Sequence, residues 1–257
     1  MKPAVTPKKH LGQHFLNNPA LALQIVESLT GHGNPQRVLE IGPGMGVLTQ
    51  FLLQHSEYET WAAEVDAESV VYLKAHFPAL GNRILEGDVL RMPLDQYFPE
   101  PFAIIGNFPY NISSQILFRA LDYRERVTEV VGMFQDEVAR RICSGPGGRD
   151  YGILSVLLQA YYQAEYLFTV DKSEFIPPPQ VQSGVLRLTR NAVHALPVPH
   201  EKFVLVVKTA FNQRRKTLRN ALKGISQDQP IPYSDLRAER LGVAEFVELT
   251  RVIFPLA

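Results

Sequence analysis

Apolar residues fall into two alternating patterns along this chain. PALALQIVESL (19–29) carries them at helical spacing, whereas RVLEIG (37–42) is a short unbroken apolar run ending in glycine. VLTQFLLQH (47–55) returns to helical spacing, TWAAEVD (60–66) predicts a second strand and AESVVYLKAHF (67–77) a second helix. RILEGD (83–88) and FAIIGN (102–107) predict two more strands, ILFRALDYRE (116–125) a helix and EVVGMF (129–134) a fifth strand. Short continuous apolar runs suit strands buried on both faces, and their alternation with helices predicts a parallel sheet covered on both sides. Past a helix expected near 151–164, EYLFTV (165–170) and GVLRLT (184–189) flank a proline-rich loop, as in an antiparallel edge pair. The expected fold is α/β, a doubly wound, mostly parallel seven-stranded sheet over residues 1–190. NAVHALPVPH (191–200) lacks periodicity and reads as a linker. Residues 201–257 show helical spacing without a convincing strand, which predicts a small all-helical C-terminal domain.

Composition narrows the function. A chain of 257 residues, 46% of them hydrophobic, can bury a full core. Its 26 basic and 26 acidic residues cancel, so any polyanion site must come from local clustering. The single cysteine, Cys143, excludes an internal disulfide and supplies no metal cluster, which fits a reducing cytosol. MKPAVTPKKHLGQHFL at the start has lysines but no apolar segment of a secretory signal, and no run approaches the roughly 18 apolar residues of a membrane helix. A soluble, cytoplasmic, monomeric protein without a metal or membrane partner is expected.

EIGPGMG (40–46) follows the first predicted strand and precedes a helix. Glycines there let backbone N–H groups approach a ligand outside the carboxyl ends of the strands, although a tight turn alone would also use them. Gly42, Gly44 and Gly46 give G-x-G-x-G, whereas the dinucleotide fingerprint wants its third glycine at Val47. That spacing argues against a pyrophosphate ligand. Glu64 ends the second strand, 20 residues after Gly44, where a carboxylate can accept both hydroxyls of a ribose. Asp88 ends the third strand and can accept from an adenine amino group. Each acid alone could be a solvated strand end; the ordered set predicts a site for adenosine without phosphates.

NFPYNIS (107–113) closes the fourth strand beside that site. An exocyclic aromatic amine is a poor nucleophile because its lone pair is delocalised into the ring. With the Asn107 side-chain oxygen and the Phe108 carbonyl each accepting one N–H, the nitrogen is drawn toward tetrahedral geometry and its lone pair is localised. Pro109 fixes the turn and Tyr110 offers a face on which a base, extruded from its stack, can lie. Phe175 in FIPPPQVQS (175–183) is the candidate second aromatic of the clamp, with an edge-strand core position as the plain alternative.

In this order EIGPGMG, EVD, EGD and NFPYNIS resemble class I methyltransferases that use S-adenosylmethionine on an amino nitrogen. More narrowly, KKHLGQHFL (8–16), NFPYNIS, DYGILSV (150–156), FIPPPQVQS and FNQRRKTLRN (211–220) resemble the KsgA-type bacterial dimethyladenosine transferases. The resemblance implies dimethylation at N6 of two adjacent adenosines near the 3′ end of 16S rRNA in the immature small ribosomal subunit. It implies cofactor contacts at His14, Leu16, Gly42, Glu64, Asp88 and Asn107. Two positions depart from the family pattern: His14 stands where Asn is usual, and Phe108 where Leu is usual. The imidazole is the larger group, which bears on the methionine end of the cofactor; Phe108 is expected to act through its backbone.

Lys208, Arg214, Arg215, Lys216, Arg219 and Lys223 put six positive charges and no acid between residues 208 and 223. On one continuous helix, five of them (all but Arg214) would fall within an arc of about 100°. A solvated face is the plain reading; in a chain of zero net charge this stripe predicts phosphate-backbone binding, with KKH (8–10) as an extension. Other functions remain open on sequence: a large-subunit rRNA adenine dimethyltransferase, a ribosome-assembly factor acting mainly by binding, or, less well supported, an adenine-specific DNA methyltransferase.

Overall fold

The computed structural model describes residues 5–255 except residue 228. Its strands are β1 (Phe15–Leu16), β2 (Arg37–Ile41), β3 (Glu59–Glu64), β4 (Ile84–Glu86), β5 (Phe102–Asn107), β6 (Val127–Gln135), β7 (Tyr162–Val170), β8 (Phe175–Ile176) and β9 (Ser183–Arg190). Its helices are α1 (Pro19–Glu27), α2 (Thr49–Leu52), α3 (Ala67–His76), α4 (Leu94–Tyr97), α5 (Ser113–Asp122), α6 (Asp136–Cys143), α7 (Ile153–Gln159), α8 (His200–Asn212), α9 (Leu218–Ala221), α10 (Lys223–Ser226) and α11 (Val243–Ile253). Seven strands form one sheet in the order β4-β3-β2-β5-β6-β9-β7. The first five in that order run parallel, and β9 pairs antiparallel to β6. The chain winds from β2 outward through β3 and β4, then returns to β5 on the other side of β2. The carboxyl ends of β2 and β5 therefore flank a topological switch point, where an open α/β sheet leaves a crevice.

Local sequence accounts for these elements. Four of the five residues of β2 and five of the six of β5 are buried, as their unbroken apolar runs require. Asn18 caps α1 by accepting from the Leu21 N–H, with Pro19 in the first turn. Asp66 caps α3 through the Glu68 N–H.

Three boundaries differ from the sequence expectation. Residues 44–48 are spent on a turn, which shortens the helix foreseen over 47–55 to α2. The helix foreseen to 164 ends at Gln159, because Tyr162, Tyr166 and Phe168 favour the extended backbone of β7. The division into units also falls elsewhere. One compact unit holds the chain up to Ala139 with Ala164–Arg190; the other holds Arg140–Gln163 with Asn191 onward. The helical unit thus begins inside the stretch assigned to the sheet domain. The expected 191–200 linker is no free tether, since the Asn191 N–H donates to the Tyr161 carbonyl and His200 Nδ1 lies 2.8 Å from the Tyr161 hydroxyl.

In the sheet unit, Ile25, Val38, Leu52, Ile105, Val131 and neighbours make one buried cluster. In the helical unit, Phe211 packs between Tyr151 and Phe246, at ring separations of 6.2 and 5.8 Å. Phe108 follows the last residue of β5, and its ring fits because Gly106 and Gly132 lack side chains. A Cβ at Gly132 would lie 2.1 Å from Phe108 Cε2. Gly132→Ala should therefore lower stability by about 1–3 kcal/mol through overpacking, read as a fall in melting temperature. An unchanged melting temperature would mean the Phe108 ring is free to move aside.

Candidate active site

A cavity of about 230 Å³ opens at the switch point, all of it within the sheet unit. The ends of β2, β3 and β5 line it through Gly42, Glu64 and Asn107. Asp88 contributes from beyond β4, and the N-terminal segment from Leu11 to Phe15 completes it. Register explains the gathering: Ile41 pairs with Ala63, so Gly42 lies beside Glu64, and Glu40 pairs with Ile105, so the ends of β2 and β5 lie side by side.

Glu64 organises the floor. Its carboxylate is only 4% exposed and accepts from the Gly44 N–H (3.0 Å), the Val65 N–H (2.9 Å) and the Asp66 N–H (2.9 Å). Burial raises its pKa, and the three N–H bonds oppose that rise. The glycine loop works differently from the sequence expectation. The Gly42 N–H is bonded to the Ala63 carbonyl and the Gly44 N–H to Glu64, so neither amide is left for a ligand. Positive φ is what the loop needs, at 70° for Gly42 and 56° for Gly44. Asp88 Oδ1 is occupied by the Leu90 N–H at 3.0 Å, and its Oδ2 lies 3.5 Å from Arg91 Nε.

A small recess of about 50 Å³ shares Phe15, Gly42 and Asn107 with the main cavity and adds Leu16 and Glu40. Leu16 itself is a core residue on β1, paired with Phe175 of β8. Glu40 of EIGPGMG, to which the sequence assigns no role, is a buried carboxyl, 1% exposed, accepting from Thr49 Oγ1 at 2.6 Å. Burial pushes it up to about 8, and the neighbouring charge of Glu64 adds to the rise. The available signal was a carboxylate inside an otherwise apolar strand.

The NFPY turn forms one wall of the cavity. Asn107 Nδ2 donates to the His14 carbonyl at 2.8 Å. A carbonyl only accepts, so this bond fixes the amide orientation and turns Oδ1 away from it as a free acceptor. Phe108 is 1% exposed, its ring committed to the glycine gap. Pro109 and Tyr110 line the cavity. Phe175 does not join them. It is 2% exposed and packed in the core, because strand alternation turns Phe175 inward and Ile176, 38% exposed, outward. The plain core alternative is what the structure shows at that position.

The N-terminal segment is strapped across the site. Lys8 Nζ pairs with Asp66 Oδ1, and Gln13 Nε2 donates to Asp66 Oδ2 at 3.2 Å. Burial alone would raise the Asp66 pKa, but these partners hold it below the usual carboxylate range. Lys8 is therefore engaged within the fold, which weakens KKH as an RNA-binding extension; Lys9 and His10 are exposed.

The basic residues of the helical unit do not share one helix. Lys208 lies on α8, Arg214, Arg215 and Lys216 lie in the turn after it, Arg219 on α9, and Lys223 opens α10. Arg214 donates to the Arg149 carbonyl at 2.6 Å, and Arg219 pairs with Asp235 at 2.7 Å. Arg215 and Lys216 are exposed. The helical arc is thus replaced by a turn presenting two adjacent cations.

Residues 5–244 match a family model described as ribosomal RNA adenine dimethylase. Two proteins described as ribosomal RNA small subunit methyltransferase A are similar over nearly their whole length. The one from Cytophaga hutchinsonii is 55% identical, covering 97% of this chain and 98% of its own. That from Flavobacterium johnsoniae is 51% identical, covering 97% and 96%. Among solved structures, a dimethyladenosine transferase from Plasmodium falciparum superposes with a TM-score of 0.76 at 22% identity, over 92% of this chain and 96% of that one. The 23S rRNA methyltransferase ErmE superposes with 0.67 at 23% identity, over 93% and 99%. At such identities the two structures speak for the fold: a class I methyltransferase sheet with a helical C-terminal part.

Glu40 gives the site a measurable signature. Between its unfolded value near 4.5 and its folded value of about 8, the folded protein holds a proton the unfolded chain has lost. Stability from this group is full below 4.5 and falls by about 1.4 kcal/mol per pH unit across that window. Glu40→Gln should flatten the decline of melting temperature from pH 5 to 8. Parallel declines in the two proteins would mean Glu40 is already ionised in the fold.

Proposed function

The chain belongs to the ribosomal RNA adenine dimethylase family, and from that premise we propose that it dimethylates N6 of two adjacent adenosines near the 3′ end of 16S rRNA. The chain is an rRNA adenine dimethyltransferase, acting on small-subunit rRNA. The observation that carries the site assignment is the Asn107 amide, held through Nδ2 so that Oδ1 remains an acceptor at the cavity. With the Phe108 carbonyl, it accepts the two N–H bonds of the adenine amine and localises the nitrogen lone pair. Preorganised acceptors do this without a strong base.

The residues present fit S-adenosylmethionine, which when bound supplies a methyl group on a sulfonium. Glu64, buried and facing the cavity, suits the ribose hydroxyls, and Asp88 suits the adenine end. Glu40, in the recess with Leu16, suits an ammonium, whose charge would favour the ionised carboxyl. His14 meets the site through its carbonyl to Asn107. Any residue supplies that group, so the family Asn is not required for it. The immature small subunit in the cytoplasm is the substrate in this reading, met by a monomer, with the exposed Arg215 and Lys216 gripping phosphates.

The direct test incubates the protein with labelled S-adenosylmethionine and undermethylated small subunits and maps the methyl groups. Label on large-subunit rRNA would replace this reading. Asn107→Ala should abolish transfer and leave subunit affinity nearly intact; wild-type turnover would remove Asn107 from the chemistry. Arg215→Gln with Lys216→Gln should leave cofactor affinity unchanged and reduce the slope of log affinity against log salt by about 1.4–1.8, at roughly 0.7–0.9 per phosphate contact. An unaltered slope would make the turn a solvated face.

A further inference from the structure

Three separated segments meet at the Tyr110 ring. The Tyr110 hydroxyl lies 2.5 Å from Ser183 Oγ, at the start of β9. Ser183 is fully buried, and its backbone is fixed by pairing with Gln135 of β6. On the ring itself, His14 stacks at 5.7 Å between centroids and 26° between planes. The His14 ring is anchored in turn, with Nδ1 2.8 Å from the Pro177 carbonyl. That oxygen only accepts, so Nδ1 carries the proton. The same residue fixes Asn107 through its backbone carbonyl.

Tyr110 therefore does not stand as a lone ring on a flexible turn. Its tip is held by β9 and one side is stacked by the N-terminal strap. The proline-rich loop at Pro177 holds the strap. Phe175, the aromatic that sequence offered as its partner, is packed in the core. We propose that Ser183 and His14 are positioning residues that set the Tyr110 ring as the stacking surface for the target adenine. The proposal rests on the functional reading above. It deepens that reading by assigning the orientation of the Tyr110 ring to Ser183 and the N-terminal strap.

The physical basis is orientation. A half-buried phenol without its partner can swing about its side-chain torsions, and a base stacked on it would follow. Misplacing a reacting atom by about 1 Å can cost on the order of 100-fold in rate, whereas binding contacts elsewhere are unaffected. The defect should therefore fall on turnover, with binding spared.

Ser183→Ala should lower kcat about tenfold, with KM for undermethylated small subunits and the Kd for S-adenosylmethionine within twofold of wild type. Tyr110→Phe breaks the same bond while keeping the ring and should lose a similar factor. The double variant should lose no more than either single one, as partners in one interaction do. Ser183→Thr, which retains a hydroxyl, should recover most of the rate. His14→Ala keeps the backbone carbonyl on Asn107 and removes the stacked ring, so it should also reduce kcat with cofactor affinity intact. Wild-type kcat in Ser183→Ala, or losses that multiply in the double variant, would overturn the proposal. A loss shared equally by kcat, cofactor affinity and melting temperature would do the same, since it marks a merely structural role. If the wild-type protein transfers no methyl to rRNA, the functional reading falls and this inference with it; active wild type with unaffected variants fails the inference alone.

Discussion

The buried carboxylate of Glu64 is the constraint from which the site is built. A carboxylate 4% exposed must be satisfied by hydrogen bonds, and here backbone N–H groups of Gly44, Val65 and Asp66 supply them. Those bonds pin the glycine loop after β2 and the turn after β3 to one another. Asp66, so placed, both caps α3 and receives Lys8 and Gln13, which lays the N-terminal strap across the cavity. The strap then presents the His14 carbonyl to Asn107. One continuous set of polar contacts thus runs from the proposed ribose site to the proposed methyl acceptor site. Disturbing it at either end should be felt at the other.

Much of this was legible in the chain. Unbroken apolar runs identified β2, β5 and β6 as interior strands, and residues such as Gly42, Glu64, Asp88 and Asn107 were placed by the simple rule that ligands gather at carboxyl ends of strands. What periodicity could not provide was the partner of each group. The Gly44 amide was assigned to a ligand and serves Glu64. Glu40 was visible but had no role until its burial was known. Ser183 ends the FIPPPQVQS stretch, but its bond to Tyr110 spans 73 residues, beyond any local pattern.

Two aromatic residues illustrate how packing decides between readings that sequence leaves equal. Phe108 and Phe175 each stand beside proposed site residues, and each is buried. Phe108 is drawn inward by the gap at Gly106 and Gly132, yet its backbone stays at the cavity because it directly follows the last residue of β5. Phe175 is turned inward by the alternation of a two-residue strand paired with β1, and nothing of its ring reaches the cavity. The same burial has opposite consequences because one role needs only a carbonyl and the other needs a ring face.

That distinction between backbone and side chain also bears on His14, where the sequence resemblance implied Asn. The group that orients Asn107 is a main-chain carbonyl, so the contact is insensitive to the residue that provides it. The side chain is then released for a different task, and the imidazole has the two properties that task requires: a flat face for Tyr110 and a ring N–H for the Pro177 carbonyl. An Asn side chain could donate to the same carbonyl but could not stack. In this chain the imidazole therefore links the strap both to the Tyr110 ring and to the proline-rich loop.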